Sequence, residues 1–237
     1  MQAIILAAGN NIRFDSRNTE KPFFKQSLEI AGRSITERLV LQLSTLGCSR
    51  VTFVCGKNLN YLQNKLNPLL NQLGLDGEFI YNNRPDRGNG YSLGLALKTA
   101  ETKFYLSMSD HVYSDTFMDA VSKVEPINSG LFVDYKIQEV FDLADATKVL
   151  THEGKVLKLS KELSSYNAID TGFFILRKNI QDGYQKLTES SLSLSLSYMM
   201  IEHAKSHAFY AFDIADGNWQ DIDDEAMYEA AMHKFGQ

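Results

Sequence analysis

Apolar and polar positions alternate in blocks along the first half of the chain, and these blocks predict strands and helices in turn. Short apolar runs are typical of strands that are buried on both faces, and longer amphipathic segments are typical of helices. Such alternation predicts right-handed crossovers and a mostly parallel sheet. The predicted strands are 3–6, 51–55, 78–81 and 104–108, and the predicted helices are 34–46, 61–73, 91–100 and 116–124. Ser34, followed three residues later by Glu37, has the spacing of a capping box at a helix start.

The second half of the chain has a different pattern. Apolar runs at 147–150 and 155–159 flank a turn, which predicts a hairpin. Alternating serine and leucine at 190–197 resembles a strand, but helical content follows, so we interpret this segment as a loop with an N-cap before a helix. Further strands are predicted at 169–176 and 208–213, and a last helix at 224–235.

These later strands are expected to complete the same sheet by antiparallel additions, since no Pro- or Gly-rich linker separates the halves. We therefore predict one domain over residues 1–237. Its nucleotide-binding part is expected at about 1–125, and its acceptor-binding and metal-completing part at about 126–237.

Composition narrows the class of protein. The chain has 237 residues, 44% of them hydrophobic, which is enough for one large α/β core. Its net charge of −5 argues against nonspecific nucleic-acid binding. Cys48 and Cys55 are too few for a disulfide framework, and no apolar stretch or amino-terminal signal predicts a membrane segment or export. We therefore expect a cytoplasmic protein.

A phosphate-binding loop is predicted near the amino end. The first apolar run leads into the small residues Ala7, Ala8 and Gly9, whose backbone N–H groups can surround an anion. Arg13 and Lys21 follow and would add positive charge. The expected ligand is a triphosphate or its leaving pyrophosphate, and the alternative is an ordinary turn after a strand. The loop has neither the Gly-Lys-Ser/Thr of kinases nor the Gly-x-Gly-x-x-Gly of dinucleotide-binding proteins.

A second loop places Asn89 between two glycines at the start of a predicted helix. Gly88 and Gly90 allow a flat ring to approach the backbone closely. The Asn89 amide offers both a donor and an acceptor to the edge of a nucleobase. The alternative is a helix-entry turn with Asn89 in the left-handed conformation.

Aspartates in two places predict a metal site. Asp110 directly follows an apolar run, and ligands of open α/β sheets bind outside the carboxyl ends of the strands. Asp221 and Asp223 would lie on one side of an extended backbone. Mg²⁺ prefers carboxylates, phosphate oxygens and water, so these acids are candidate Mg²⁺ ligands. The alternative is that Asp223 or Asp224 caps the last helix, and one acid can cap while another binds metal.

Other residues have expected roles around this site. A second phosphate-bearing substrate needs its own cation, for which Lys161 is our first choice and Lys148 the reserve, although either could be a solvated surface lysine. His111 is expected to be solvated or hydrogen-bonded, because Mg²⁺ prefers oxygen ligands. Trp219 is expected to form a packing wall.

Together these motifs resemble a known family over nearly the whole chain. Leu-Ala-Ala-Gly-x-x-x-Arg, with Lys-Pro downstream, resembles the signature of nucleotidyltransferases that make activated sugars and alcohols. Four further segments resemble the inositol-1-phosphate cytidylyltransferases within that superfamily. These segments are Gly-Asn-Gly-Tyr-Ser-Leu at 88–93, Met-Ser-Asp-His-Val-Tyr-Ser at 108–114, Asp-Thr-Gly-Phe-Phe-Ile-Leu at 170–176 and Trp-x-Asp-Ile-Asp at 219–223.

The resemblance implies a Rossmann-like, GT-A-like α/β fold, with a mixed but mainly parallel sheet flanked by helices, and a Mg²⁺-dependent reaction. Its implied roles fall on matching positions of this chain. They are Leu6, Ala7, Ala8 and Gly9 for nucleotide binding through backbone, Arg13 and Lys21 for phosphates, Gly88, Asn89 and Gly90 for the base, Asp110 and Asp223 for the metal with Asp221 as a neighbour, and Lys161 for the acceptor phosphate.

The implied activity is transfer of CMP from CTP to a small phosphorylated alcohol, with inositol 1-phosphate the first choice. The products would be CDP-inositol and pyrophosphate. Phosphocholine, an aminoalkylphosphonate or another sugar 1-phosphate stay open as acceptors. A glycosyltransferase of similar fold and a nucleotide sensor without turnover are further alternatives.

The chain departs from the family pattern in two ways. Asn11 stands where a second glycine is usual, and asparagine enters the left-handed region more readily than most residues. The membrane-embedded phosphotransferase that is often fused to such enzymes is not found in this sequence. We therefore expect a separate membrane transferase to use the product. A homodimer is kept open as the assembly.

Overall fold

The computed structural model describes residues 1–9, 23–125, 127–189 and 194–236. The described strands are β1 (Gln2–Ala7), β2 (Glu29–Ile30), β3 (Arg33–Ser34), β4 (Arg50–Cys55), β5 (Asp76–Tyr81), β6 (Lys103–Met108), β7 (His111–Tyr113), β8 (Ser129–Asp134), β9 (Lys148–His152), β10 (Lys155–Ser160), β11 (Ala168–Arg177), β12 (Phe209–Asp213) and β13 (Trp219–Asp221). The described α-helices are α1 (Ile35–Thr45), α2 (Leu59–Leu73), α3 (Asn89–Ala96), α4 (Asp115–Ser122), α5 (Gln181–Glu189), α6 (Leu196–Ala204) and α7 (Glu225–Phe235).

One mixed sheet organises the described residues. Its nine strands run in the order β5-β4-β1-β6-β11-β8-β12-β10-β9. The first four are parallel to their neighbours, and β11 enters antiparallel between β6 and β8. The β9–β10 pair forms the predicted antiparallel hairpin. Strands from both halves of the sequence therefore share one sheet.

Alternating side chains of β1 show how the sheet is buried. Ile5 belongs to the hydrophobic core on one face, together with residues of α1, α2 and α4. Ile4 and Leu6 belong to the core on the other face, with residues of α3 and α6. Because both faces are covered, every residue of β1 is buried, and all of them except Gln2 are apolar.

Local signals explain several element boundaries. Ser34 accepts a hydrogen bond from the backbone N–H of Glu37, and the Glu37 carboxylate accepts one from Ser34 N, which confirms the predicted capping box. Gly74 ends α2 in the left-handed conformation. The predicted helix at 91–100 ends instead at Ala96, whose carbonyl accepts a hydrogen bond from the backbone N–H of Thr99 in a turn.

The sequence pattern missed some short elements. These are β7 and β13, which contain only three residues each, and the six-residue β8 was missed as well. The helix predicted after the serine-leucine segment is α6. Residues 190–193 of that segment lie outside the described residues.

His203 on α6 is buried against α5 without a hydrogen-bond partner in the described part of the chain. Its side chain is 1% exposed, and its ring stacks on His207 with centroids 4.5 Å apart. Burial, reinforced by His207, lowers the pKa of His203 to about 4. The folded protein therefore favours neutral His203.

Acid should consequently destabilise this helix pair. Between about pH 6.5 and 4 the unfolded chain binds a proton at residue 203 that the folded chain does not, which costs up to about 3 kcal/mol of unfolding free energy as the pH falls. In His203→Phe we expect this share of the pH dependence to vanish in urea unfolding between pH 7 and 5. Exposed His233→Phe is the control. Parallel pH curves for wild type and His203→Phe would contradict the assignment.

Candidate active site

A cavity of about 260 Å³ lies at the carboxyl ends of β1 and β6. Leu6 and Gly9 line it from the end of β1, and Met108, Ser109 and Asp110 line it from the end of β6. The backbone N–H of Ser109 donates to the Leu6 carbonyl at 3.1 Å, which continues the pairing of the two strands into the cavity wall. This is the sheet edge at which open α/β folds bind ligands.

Two of the predicted metal-binding acids converge on one lysine in this cavity. Lys25 Nζ lies 2.9 Å from Asp110 Oδ2 and 2.5 Å from Asp223 Oδ1. The Lys25 side chain is 8% exposed, whereas the two aspartates are 27% and 29% exposed. Carboxylates that are 113 positions apart in the sequence thus meet at the ammonium group of Lys25.

The charges at this point support one another. Burial opposes the ionised form of Asp110, but Lys25 and His111 outweigh it and hold the pKa of Asp110 well below its usual range. Burial likewise opposes the charged form of Lys25, but Asp110 and Asp223 outweigh it and raise the Lys25 pKa. Both groups are therefore ionised at neutral pH.

A short ribbon of β7 and β13 carries Asp223 to Asp110. The two strands pair antiparallel, with His111 opposite Asp221 and Tyr113 opposite Trp219. Just beyond the ribbon, the backbone N–H of Ile222 donates to the Asp110 carbonyl at 2.9 Å. The next residue, Asp223, therefore lies beside Asp110.

Asp224 has a separate role. It is the N-cap of α7, and its side chain accepts a hydrogen bond from Met227 N at 2.9 Å. The cap fixes the direction in which the chain leaves Asp223. Thus one acid caps the helix while its neighbour faces Lys25.

His111 connects Asp110 with the other side of the cavity. Its Nδ1 lies 3.0 Å from Asp110 Oδ1, so the hydrogen bond predicted for this histidine is confirmed. Its ring stacks on Trp219 at 5.9 Å between centroids and an angle of 12°. Trp219 is in turn fixed by Asp134, whose Oδ2 accepts from the indole N–H at 3.0 Å. Burial opposes protonation of His111, but Asp110 outweighs it and raises its pKa.

Further acids line the cavity beyond His111. Asp170 Oδ1 accepts from the backbone N–H of Gly172 at 2.8 Å, and burial raises the pKa of Asp170 to about 6. Asp221 Oδ1 accepts from Gln220 Nε2 at 3.3 Å, and burial raises the Asp221 pKa as well. Asp221 lines the same cavity as Asp110 and Asp223. Lys25 contacts Asp110 and Asp223.

The two candidate acceptor lysines have different surroundings. Lys161 lines the cavity and lies 2.7 Å from Asp145 Oδ1, with half of its side chain exposed. Lys148 is buried, and its Nζ donates to the Ala144 carbonyl at 2.8 Å. Lys161 is therefore the better placed of the two for a substrate anion.

The predicted phosphate loop is only partly described. Leu6 and Gly9 line the cavity, whereas Ala7 and Ala8 are buried beside the end of β4: Asn58 Nδ2 donates to the Ala7 carbonyl, and a Cβ on Gly56 would lie 3.1 Å from the Ala8 carbonyl oxygen. Arg13 and Lys21 lie outside the described residues.

The predicted base-binding loop contributes one side chain to the cavity. Asn89 lines it near Met108, whereas Gly88 ends a preceding turn with a φ of 90°. Gly90 N donates to the Leu194 carbonyl at 2.7 Å, and a Cβ on Gly90 would lie 2.6 Å from that oxygen. Glycine at position 90 thus permits close packing of α3 on the segment before α6, whose Leu196 and Ser197 also line the cavity.

Sequence reasoning missed Lys25. The prediction chose Lys21 because proline follows it, although Lys25 is only four residues further along. Lys25 and Gln26 lie in a short 3₁₀ turn before β2, and Gln26 Nε2 donates to Ser109 Oγ at 3.0 Å. A second lysine directly after Phe23 and Phe24 was an available signal, but its partners are distant in sequence.

The arrangement gathers positive and negative groups suited to phosphate chemistry. Within the described ranges, no group of three or more His, Cys, Asp or Glu side chains is arranged to hold a metal ion. The Asp110 and Asp223 oxygens nevertheless face one cation position, which Lys25 Nζ occupies. Paired carboxylates are typical ligands for a divalent ion that also binds phosphates.

Comparison with known families identifies the class of protein. The family model described as the MobA-like NTP transferase domain matches residues 3–126, which include the first loop, Lys25 and Asp110. The chain belongs to this family of nucleotidyltransferases.

Curated relatives extend the similarity to most of the chain. Three of them bear the name bifunctional IPC transferase and DIPP synthase. They are from Aquifex aeolicus (31% identity, 97% of this chain and 50% of the relative), Thermococcus kodakarensis (36%, 94% and 48%) and Archaeoglobus fulgidus (31%, 94% and 41%). The chain spans about half the length of these relatives or less.

Solved structures confirm the predicted Rossmann-like nucleotidyltransferase fold. The inositol-1-phosphate CTP transferase from T. maritima matches with a TM-score of 0.82 and 26% identity, over 100% of this chain and 96% of the other. A Bacillus anthracis protein assigned as a glucose-1-phosphate thymidylyltransferase matches with a TM-score of 0.81 and 15% identity, over 100% of this chain and 96% of the other. This match supports the fold alone.

In the part of the chain that the structure describes, no helix is both long and apolar enough to cross a bilayer.

Removing the Lys25 charge should destabilise the site. Lys25→Met removes the cation that the partly buried Asp110 and Asp223 share, and we expect it to lower the unfolding free energy by about 3 kcal/mol at pH 7 in urea titrations. Adding Asp110→Asn and Asp223→Asn to Lys25→Met should recover much of that loss. Exposed Lys123→Met is the control. Wild-type stability of Lys25→Met would contradict the electrostatic account.

Proposed function

We propose that this protein transfers CMP from CTP to inositol 1-phosphate, forming CDP-inositol and pyrophosphate. The observation that carries the proposal is the convergence of Asp110 and Asp223 on one cation position beside the first loop. This arrangement supports the binding of a triphosphate and its counter-ion in the cavity. The family assignment supports nucleotidyl transfer as the reaction class.

The choice of base and acceptor rests on the comparisons. The names of the matching relatives include 'IPC transferase' as the first of two activities. The T. maritima structure is named an inositol-1-phosphate CTP transferase. The similarity to that structure covers the strands and loops that line the cavity. CTP and inositol 1-phosphate are therefore the substrates we infer.

Asp110 and Asp223 are the proposed ligands of Mg²⁺. Their oxygens contact the Lys25 ammonium group in the cavity, and carboxylate oxygens are the ligands that Mg²⁺ prefers. When bound, Mg²⁺ would neutralise negative charge on the triphosphate oxygens. Asp221 is not one of the proposed Mg²⁺ ligands.

The transfer itself requires little from the protein except positioning and charge. An acceptor phosphate oxygen forms a bond to the α-phosphorus of CTP, while the bond from that phosphorus to the bridging oxygen breaks and pyrophosphate leaves with the electron pair. No general base is required, because a phosphate monoester is largely dianionic at neutral pH. In this proposal Mg²⁺ takes the position of Lys25 Nζ between the two carboxylates, and Lys25 turns its positive charge to the reacting phosphates. Arg13 and Lys21 are predicted to stabilise the leaving pyrophosphate.

The two halves of the chain are proposed to divide the substrates. Residues 1–125 provide the first loop, Lys25, Asn89 and Asp110 for the nucleotide, and residues 126–237 provide Lys161 for the acceptor phosphate and Asp223 for the metal.

The two unpaired, buried cysteines support the cytoplasmic location that we expected from the sequence.

Substrate identity can be tested directly. The protein would be incubated with Mg²⁺, each of the four ribonucleoside triphosphates and a panel containing inositol 1-phosphate, phosphocholine and glucose 1-phosphate, and the products read by mass spectrometry. We expect CDP-inositol and pyrophosphate as the dominant products. Dominant transfer to phosphocholine or glucose 1-phosphate, or from another triphosphate, would contradict the proposal.

The proposed metal ligands should be essential to turnover. Asp110→Asn and Asp223→Asn keep the side-chain shape but remove the charge that attracts the cation. We expect each to lower pyrophosphate release by at least about a hundredfold. Exposed Asp119→Asn should retain wild-type rates. Turnover of either site variant within about twofold of wild type would remove that acid from the proposed reaction.

A further inference from the structure

Hydrogen-bond acceptors outnumber donors on the His111 side of the cavity. Asp170 uses Oδ1 for Gly172 N, and Asp221 uses Oδ1 for Gln220 Nε2. Within the described part of the chain, the Oδ2 atoms of both aspartates make no hydrogen bond. Each carboxylate thus has one oxygen fixed by the protein and one left for a ligand or water.

His111 presents a third polar atom to the same region. Its Nδ1 is engaged with Asp110 and its ring is held against Trp219, so the ring orientation is fixed. The Nε2 edge lies beside Gly172, where an added Cβ would come within 2.6 Å of it. Glycine at position 172 therefore leaves the room that this edge needs.

Gln26 provides an independent sign that the cavity takes a ligand with donor groups. Its side chain lines the cavity and is 3% exposed. Nε2 is used by Ser109, while Oε1 is buried without a partner among the described residues. A buried acceptor without a donor is costly, so a donor from outside the chain would stabilise it.

We infer that Asp170 and Asp221 form a hydroxyl-binding subsite that selects a polyhydroxylated acceptor. The inference rests on the proposed transferase function and assigns these two acids to the acceptor. Each hydroxyl of a polyol donates one hydrogen bond, and a ring bearing several hydroxyls can satisfy both Oδ2 atoms at once. Hydrogen bonds to carboxylates are stronger than bonds between neutral groups.

A quaternary ammonium acceptor fits these surroundings less well. Such groups are recognised by the faces of several aromatic rings. Among the described residues, Trp219 and Phe174 are the lining residues with large aromatic side chains, and His111 covers one face of Trp219. The cavity thus offers carboxylates without an aromatic cage around them.

Selectivity between acceptors tests the subsite. Asp170→Asn and Asp221→Asn preserve the bonds to Gly172 and Gln220 but replace one carboxylate oxygen with an amide NH₂ group. We expect each variant to lose about tenfold to a hundredfold in kcat/KM for inositol 1-phosphate, mainly through KM. With ethyl phosphate, which has no hydroxyl on its alkyl group, kcat/KM of each variant should fall less than threefold. The control Asp119→Asn should match wild type with both acceptors.

Equal losses with both acceptors, or no loss with inositol 1-phosphate, would overturn the inference. So would a wild-type preference for phosphocholine that these variants abolish, since the acids would then serve an ammonium group. Unchanged binding of Mg²⁺ and CTP by calorimetry should accompany the selective loss.

A binding experiment separates this inference from the proposed function. The single tryptophan, Trp219, lies in the cavity wall and reports occupancy by its fluorescence. Inositol 1-phosphate should quench or enhance this fluorescence in wild type, with at least about tenfold weaker binding in Asp170→Asn and Asp221→Asn. If wild type releases no pyrophosphate from CTP, the proposed function fails, while this difference in binding still supports the subsite. Equal binding by wild type and both variants overturns the subsite even where turnover is found.

Discussion

The ion triad of Lys25, Asp110 and Asp223 is the interaction on which the site depends. It joins the segment before β2, the end of β6 and the segment before α7 at one point. Each carboxylate alone would be costly in such partly buried surroundings, and each is stabilised by a charge contributed from a distant part of the chain. The triad fixes the position of a cation, and the nucleotide and acceptor sides of the cavity are arranged around that position.

The sheet makes this convergence possible. Parallel β1 and β6 end at the same edge, so the first loop and Asp110 are neighbours in space. The β7–β13 ribbon then brings the last part of the chain back across that edge, while the cap at Asp224 starts α7 just after Asp223. The same ribbon places Asp221 opposite His111, two residues before Asp223.

The parts of the fold that depend on local pattern could be predicted from the sequence. The apolar run of β1 and the capping box of α1 are local signals, and the structure confirms both. The role of Lys25 could not be predicted in the same way, because it depends on contacts with residues 85 and 198 positions away. Nor could the pattern show that Gly90 serves packing on Leu194, since glycine permits close approach by backbone and ligand alike.

The titration of Lys25 Nζ by NMR tests the central claim most directly. In wild type, the two carboxylates should raise the Lys25 pKa above that of an ordinary lysine. In the Asp110→Asn/Asp223→Asn double variant only burial remains, which disfavours the ammonium form, so the pKa should fall below the ordinary value. An unchanged Lys25 pKa in the double variant would show that the three groups do not meet, and would contradict this account of the site.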